Sequence, residues 1–295
     1  MPAHGIVEEV RKVRLRSLLF VPGDQPERME KALGAGADAL ILDLEDAVTL
    51  DRKKEARACI AKFLSRGPRA VTLFVRINPL GSGLADADLA AIIAGKPDGF
   101  VLPKAEGGRS LIDLDQRLKA LGNTQAVILP IATETPAAIF ALGSYGDVTP
   151  RLCGLTWGAE DLPAAIGAAT SREEDGCYTA PYETVRSLTL FGAHAAGVPA
   201  IETIYPSFRD LDGLKAYAAR GRRDGFSGMM AIHPAQVEVI NAAFTPSKAE
   251  IEWARRIVEL FDRNPGIGVL SLGGKMVDAP HLKQAKRLLA DTQTG

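Results

Sequence analysis

Ala126-Val-Ile-Leu-Pro-Ile-Ala-Thr-Glu134 opens on eight uncharged residues, most of them apolar, and closes on a carboxylate. An unbroken apolar run of this length predicts a strand buried on both faces, as in a parallel sheet covered by helices. The pattern recurs along the chain. Before it come Ser17-Leu-Leu-Phe-Val-Pro-Gly23, Ala39-Leu-Ile-Leu-Asp-Leu-Glu-Asp46, Val71-Thr-Leu-Phe-Val-Arg-Ile-Asn78 and Gly99-Phe-Val-Leu-Pro-Lys104. After it come Leu152-Cys-Gly-Leu-Thr-Trp-Gly-Ala-Glu-Asp161, Pro199-Ala-Ile-Glu-Thr-Ile-Tyr205 and Gly228-Met-Met-Ala-Ile-His233.

Between the runs lie stretches with helical spacing. Residues 51–64 put Ala56, Ile60, Phe63 and Leu64 on one face, and 110–121 repeat Leu111, Leu114, Leu118 and Leu121. Residues 181–196 and 213–220 read the same way, and Gly34-Ala-Gly-Ala-Asp38 reads as a helix stop leading into a strand. Eight such units predict an α/β protein whose parallel strands close into a (β/α)₈ TIM barrel. An open doubly wound sheet is the competing topology. Its first turn, Val21-Pro-Gly-Asp24, is no dinucleotide-binding fingerprint. The barrel is expected over 1–245. Residues 246–295 form a C-terminal helical extension: a helix over 247–261 opened by Pro246 and Ser247, a short extended segment over 270–277, and a last helix over 280–290. The extension is expected to pack on a neighbouring subunit.

Composition narrows the function. With 46% hydrophobic and 24% charged residues in 295, the chain is an ordinary globular protein that can bury a large core. Lys plus Arg number 35 against 36 Asp plus Glu, so no bulk charge draws it to nucleic acid or an anionic membrane. The cysteines, Cys59, Cys153 and Cys177, are odd in number and far apart, which points to reduced thiols. Cys153, in an apolar run, reads as core. The N-terminus carries Glu8, Glu9, Arg11, Lys12, Arg14 and Arg16 and no apolar signal core. A cytoplasmic address follows as the expectation.

Barrel sites lie at the C-terminal strand ends. Here those ends carry Asp43, Glu45, Asp46, Arg76, Asn78, Lys104, Glu134, Glu160, Asp161 and His233. Adjacent strands are about 4.8 Å apart, so Glu134 and Asp161 can share one ion. An all-oxygen set with few protein ligands suits Mg²⁺. Capping the next helix or pairing with a lysine is the alternative use of the same carboxylates. Arg76 is suited to a bidentate grip on a carboxylate, or to an ion pair with Asp43, Glu45 or Asp46. Strand alternation puts Asp43 and Glu45 on one face and Asp46 on the other, with Asp46 favoured as a helix cap. Lys104 could form a Schiff base, but a rim ion pair is favoured. His233 before Pro234 reads as a histidine in a rigid turn rather than a base. With four histidines and no HExxH pair, zinc is disfavoured.

Taken together, Arg16-Ser-Leu-Leu-Phe-Val-Pro-Gly23, Leu42-Asp-Leu-Glu-Asp-Ala-Val48, Val75-Arg-Ile-Asn78, Leu102-Pro-Lys104, Thr133-Glu-Thr-Pro136, Trp157-Gly-Ala-Glu-Asp-Leu162 and Ala231-Ile-His-Pro234 occur in order. In this the chain resembles the citrate lyase β-subunit and malyl-CoA (citramalyl-CoA) lyase family of the HpcH/HpaI aldolase group. The resemblance implies that Glu134 and Asp161 hold Mg²⁺, that Arg76 grips the 2-oxo acid, and that backbone amides of Gly158, Ala159 and Glu160 bind its carboxylate. It implies coenzyme A as part of the substrate, with Phe20 and Lys31 at positions that contact it. Gln25 stands where some members have Arg, so Arg16 and Arg28 are the substitutes for a phosphate grip. Gly274-Lys-Met-Val-Asp-Ala-Pro-His-Leu-Lys-Gln-Ala285 resembles the tail of the malyl-CoA and citramalyl-CoA lyases, in which the Asp at the position of Asp278 reaches a neighbouring subunit as acid–base. The local alternative is that Asp278 caps the last helix. The implied activity is cleavage of a 3-hydroxyacyl-CoA thioester to an acyl-CoA and a 2-oxo acid by a homotrimer or dimer of trimers, with no nucleic-acid or membrane partner. A citrate lyase β-subunit acting on a carrier-protein thioester, a malyl-CoA thioesterase and a non-catalytic binding subunit are the alternatives.

Overall fold

In the computed structural model, which describes residues 14–67 and 69–293, every predicted apolar run contains a strand. The charged stretch Glu8–Lys12 lies outside the described residues. The strands are β1 Ser17–Pro22, β2 Ala39–Asp43, β3 Thr72–Arg76, β4 Gly99–Leu102, β5 Val127–Pro130, β6 Leu155–Thr156, β7 Ala200–Glu202 and β8 Gly228–Ala231. All pair in parallel in the order β5-β4-β3-β2-β1-β8-β7-β6. Bridges Ile128–Leu152 and Ile131–Thr156, with Ala132 N donating to Thr156 O at 2.9 Å, join β5 to β6 and close the barrel.

Helices cover the outside: α1 Pro26–Ala32, α2 Lys53–Leu64, α3 Ala85–Ile92, α4 Gly108–Ala120, α5 Pro136–Phe140, α6 Leu162–Ile166, α7 Ala180–Ala195, α8 Leu211–Asp224 and α9 Pro234–Ala243. The barrel unit runs over 15–244. The remaining unit takes in Arg14 and 245–293 of the described residues, and its elements are α10 Lys248–Asp262, an antiparallel hairpin of β9 Val269–Leu272 and β10 Lys275–Asp278, and α11 Ala279–Gln293. Its own small core joins Ala254 and Ile257 of α10, Val277 and Ala285. Ser247 and Glu250 cap α10 reciprocally, as the Ser-x-x-Glu spacing leads one to expect.

The two faces of each strand bury different partners. Leu18, Ala39, Ile41, Phe74, Val101, Leu129, Ile201 and Met230 fill the barrel interior. Their neighbours Leu19, Leu40, Leu42, Val75, Phe100, Ile128 and Ala200 pack outward in the layer shared with the helices. This two-residue period dictates what lies at the strand ends. Counting on from Leu18, Ile41 and Phe74 puts Phe20, Asp43 and Arg76 on the interior face of three adjacent strands. Asp43 is in register with Arg76, and Pro22 with Asp43. Counting on from Ala200 turns Glu202 outward, away from the barrel mouth.

Candidate active site

Asp43 and Arg76 meet as the register requires. Arg76 Nε and Nη2 donate to the two oxygens of Asp43 at 2.7 and 2.6 Å. Its Nη1 lies 2.9 Å from Glu45 Oε2 and 3.2 Å from Asp46 Oδ2. The guanidinium also lies over the Phe20 ring, 4.8 Å from its centroid. Burial opposes the charge on Arg76, but the three carboxylates outweigh it and hold its pKa above the usual value. The ion-pair reading of Arg76 is therefore realised. Asp46 does not cap a helix. The strand ends at Asp43, whose carboxylate accepts from Glu45 N and Ala47 N, so the chain turns and strand alternation no longer separates Glu45 from Asp46.

The acidic turn is held from below. Lys53 Nζ, buried at the start of α2, donates to Leu44 O and Glu45 O, both at 2.7 Å. Asn78 Nδ2 bonds Leu44 O at 3.1 Å and Asp88 Oδ2 at 2.7 Å, and Asp88 in turn receives Arg57 Nε at 2.7 Å. Asn78 is thus a brace for the turn. Lys53 and Asp88 play their part through tertiary contacts that no motif announces.

Lys104 links this turn to the predicted metal ligands. Its backbone N–H donates to Glu134 Oε2 at 2.5 Å, and its ammonium lies 3.0 Å from Glu45 Oε1 and 3.4 Å from Asp161 Oδ2. Burial opposes the ammonium, yet the hydrogen bond and charge of Glu45, then Asp161 and Glu134, hold its pKa above the ordinary lysine value. Burial pushes the Glu134 carboxyl up to about 8 and that of Glu45 up to about 7. Five carboxylates, Asp43, Glu45, Asp46, Glu134 and Asp161, thus face two cations, Arg76 and Lys104. Glu134 is 5% exposed, and its Oε1 makes no hydrogen bond among the described residues. A divalent cation would fit the free Oε1 of buried Glu134 and the part-exposed carboxylate of Asp161, both of which Lys104 contacts. Among the described residues no group of three or more His, Cys, Asp or Glu side chains is placed to hold a metal ion, so an ion bound by Glu134 and Asp161 would take its other ligands from water and substrate.

Beside the carboxylates, Trp157-Gly-Ala-Glu-Asp161 forms a tight turn after β6. Gly158 N donates to Thr133 Oγ1 at 3.1 Å, and Thr133 Oγ1 returns a bond to Gly158 O at 3.2 Å. Gly158 is needed there because a Cβ would lie 2.9 Å from Glu134 Cγ. The N–H groups of Ala159, Glu160 and Asp161 have no hydrogen-bond partner among the described residues, although Ala159 is fully buried. Successive unpaired N–H groups of this kind form a concavity for an anion. Behind the turn, Trp157 Nε1 donates to Glu202 Oε1 at 2.6 Å. Glu202 also receives Arg186 Nε at 2.7 Å, Tyr217 OH at 3.0 Å and its neighbour's Thr203 N at 3.0 Å. Thr133 and Glu202 are the positioning residues that strand-end reading missed. The signal for Glu202 was an acid inside the apolar run Ala200-Ile-Glu-Thr-Ile204.

Other candidates fall elsewhere. Lys31 is exposed in the last turn of α1, and Arg28 is exposed on the same helix. Arg16 bonds Asp38 through Nε at 2.9 Å and Nη2 at 2.7 Å, at the opposite end of β1 from Phe20. His233 caps α9, accepting from Ala235 N at 3.2 Å, and stacks on Phe208, so Pro234 opens a helix rather than a bare turn. Cys153 is buried inside the barrel. Within the C-terminal unit, Asp278 Oδ1 accepts from His281 N at 3.5 Å and contacts His281 Nδ1 at 2.5 Å. This caps the start of α11 with the Asp278 side chain. The hydrogen bond from His281 holds the Asp278 carboxyl below the usual range, opposite to the direction a proton donor near neutrality needs.

Comparison with known proteins identifies the family. The HpcH/HpaI aldolase/citrate lyase profile matches residues 16–234. The chain is 34% identical to a (3S)-malyl-CoA thioesterase of Cereibacter sphaeroides, covering 94% of each. It is 31% identical to the mitochondrial citramalyl-CoA lyase of Rattus norvegicus, covering 98% of this chain and 89% of that one. Its structure superposes with a TM-score of 0.81 on the CitE protein of Mycobacterium tuberculosis in complex with magnesium, acetoacetate and coenzyme A, at 32% identity over 96% of this chain and 99% of that one. The chain is a member of the HpcH/HpaI aldolase/citrate lyase family, and an enzyme of the carbon–carbon lyase type.

Proposed function

We propose that this protein is a Mg²⁺-dependent lyase that cleaves a 3-hydroxyacyl-CoA thioester of the malyl-CoA or citramalyl-CoA type to an acyl-CoA and a 2-oxo acid. The observation that carries the reading is the juxtaposition of the Glu134 and Asp161 carboxylates, both contacted by Lys104, with three unpartnered N–H groups on the turn that ends at Asp161. A hydroxy acid chelating a cation presents both complements at once. The relatives named for malyl-CoA and citramalyl-CoA, and the solved complex with magnesium and coenzyme A, support the same class.

Glu134 and Asp161 would hold the ion. Bound there, it supplies Lewis-acid chemistry to the oxygen that turns from hydroxyl to carbonyl. The N–H groups of Ala159, Glu160 and Asp161 orient the acid's carboxylate, and Thr133 keeps the turn in register for them. Arg76 carries a fixed positive charge beside the reacting oxygen and is itself oriented by Asp43. When the bond between the second and third thioester carbons breaks, the hydroxyl loses a proton and the second carbon gains one. Asp278 of a neighbouring copy is assigned to that proton on the strength of the family resemblance, so the reading needs at least a dimer, with a trimer or dimer of trimers as the proposed assembly. Phe20 and Lys31 are assigned to coenzyme A on the same ground. A cytoplasmic address is proposed from the free thiols of Cys59, Cys153 and Cys177. No helix among the described residues is long and apolar enough to cross a membrane.

Product analysis tests the reading. Incubation with malyl-CoA and citramalyl-CoA in the presence of Mg²⁺ is expected to release glyoxylate or pyruvate with acetyl-CoA intact. Free CoA with an uncleaved hydroxy acid would instead identify a thioesterase, and turnover of neither would refute the free-CoA assignment.

A further inference from the structure

Lys104 is joined to both carboxylates assigned to the ion, and by two different means. Glu134 is held through the main chain, at 2.5 Å from Lys104 N. Asp161 is held through the side chain, 3.4 Å from the ammonium. The main-chain contact has a conformational cost. Lys104 adopts φ +49°, in the left-handed region that a side chain such as lysine rarely enters. Residues held there against their preference are over-determined by their surroundings. In this case the turn aims the N–H at Glu134 and sends the side chain across to Glu45 and Asp161.

The two ammonium contacts are unequal. Glu45 is the nearer, at 3.0 Å, and is buried with a side-chain exposure of 5%. Asp161 is farther and 38% exposed, and the Lys104 side chain is itself 34% exposed. The Asp161 contact is therefore the one that can open without burying or stranding a charge. It engages one of the two oxygens of Asp161.

We infer that Lys104 is an internal counter-ion at the proposed cation site: its ammonium, shared between Glu45 and Asp161, opposes a divalent cation held by Asp161 and so sets how tightly that cation is bound. The physical basis is Coulombic. A fixed positive charge beside a cation site opposes the cation, and the opposition is strong where both are partly desolvated. Removing the ammonium frees Asp161 and removes the repulsion together. The inference rests on Glu134 and Asp161 being the metal ligands.

Isothermal titration of the full-length protein with MgCl₂ at fixed ionic strength tests it, without reference to turnover. Wild type is expected to bind Mg²⁺ and Glu134→Gln to lose that binding. Lys104→Met is expected to bind about tenfold more tightly than wild type, and Lys104→Arg, which keeps the charge, to stay within about twofold. Lys104→Gly relieves the left-handed backbone as it removes the ammonium, so it serves if the methionine variant folds poorly, with the same tightening expected. Metal-free Lys104→Met should also melt below wild type and gain more from added Mg²⁺. Equal or weaker Mg²⁺ binding by both uncharged variants, with wild type binding and Glu134→Gln not, overturns the inference and leaves the ligand assignment standing. No Mg²⁺ binding by wild type overturns the ligand assignment itself.

Discussion

Replacing Glu202 by alanine removes the partner of four donors in a site with no access to water. Glu202 is fully buried, and the Arg186 side chain is 4% exposed. Breaking a buried ion pair from one side costs about 3–5 kcal/mol, because the remaining charge is left uncompensated. Arg186 keeps Asp224 at 2.8 Å, which puts this contribution at the lower end, about 3 kcal/mol. The guanidinium has little slack, since its Nη2 already lacks a hydrogen bond. Trp157 Nε1, fully buried, loses its acceptor at 2.6 Å, which adds about 1–3 kcal/mol. The total of about 4–6 kcal/mol corresponds to a fall in Tm of roughly 10–20 °C for a barrel of this size. Glu202→Gln keeps an acceptor for Trp157 but not the charge, and should fall between wild type and Glu202→Ala. Thermal melts followed by circular dichroism read the series directly. A Glu202→Ala variant melting within about 2 °C of wild type would refute the assignment of this network as a structural anchor.

Two further outcomes follow from the site. Gly158→Ala places a methyl 2.9 Å from Glu134 Cγ and 3.2 Å from its Oε1, so the carboxylate must shift. Its kcat/KM should fall at least tenfold, or about 1.4 kcal/mol, while Tm changes little, and an unchanged kcat/KM in steady-state assays would contradict the placement of Glu134. Asp278→Asn should bind the thioester with unaltered affinity and lose turnover. Wild-type turnover by that variant would leave Asp278 only the helix cap it makes with His281.

Much of the architecture was legible because its signal is local. Apolar runs such as 126–134 and amphipathic stretches such as 110–121 report burial on two faces or on one, whatever the rest of the chain does. The strand-end rule then located Asp43, Arg76, Lys104, Glu134 and Asp161 together, and the structure does bring them to one mouth. Boundaries were less legible. The run 152–161 contributes only Leu155–Thr156 as strand, because its second half is the turn that carries the unpaired N–H groups. Asp46 was placed on the wrong face because strand alternation was carried past Asp43, where the strand ends. Helices Ala85–Ile92 and Pro234–Ala243 lacked a strong apolar stripe of their own and went unread. Glu202 (apart from its neighbour Thr203), Thr133 and Lys53 matter through partners 15 to 45, 25, and 8 to 9 residues away, and for Glu202 and Thr133 no local pattern encodes such pairing. The cap at Asp278 was legible as the local alternative for that residue, and its partner is the N–H of His281 three residues on.

The central claim is that a divalent cation held by Glu134 and Asp161 is required to break a carbon–carbon bond. The direct measurement is the rate of 2-oxo acid release from malyl-CoA or citramalyl-CoA by wild type and Glu134→Ala, with Mg²⁺ and with excess EDTA. The expected result is oxo-acid release by wild type only when Mg²⁺ is present, and none by a Glu134→Ala protein that still melts as a folded barrel. Equal rates in Mg²⁺ and EDTA, or wild-type rates from Glu134→Ala, would contradict it.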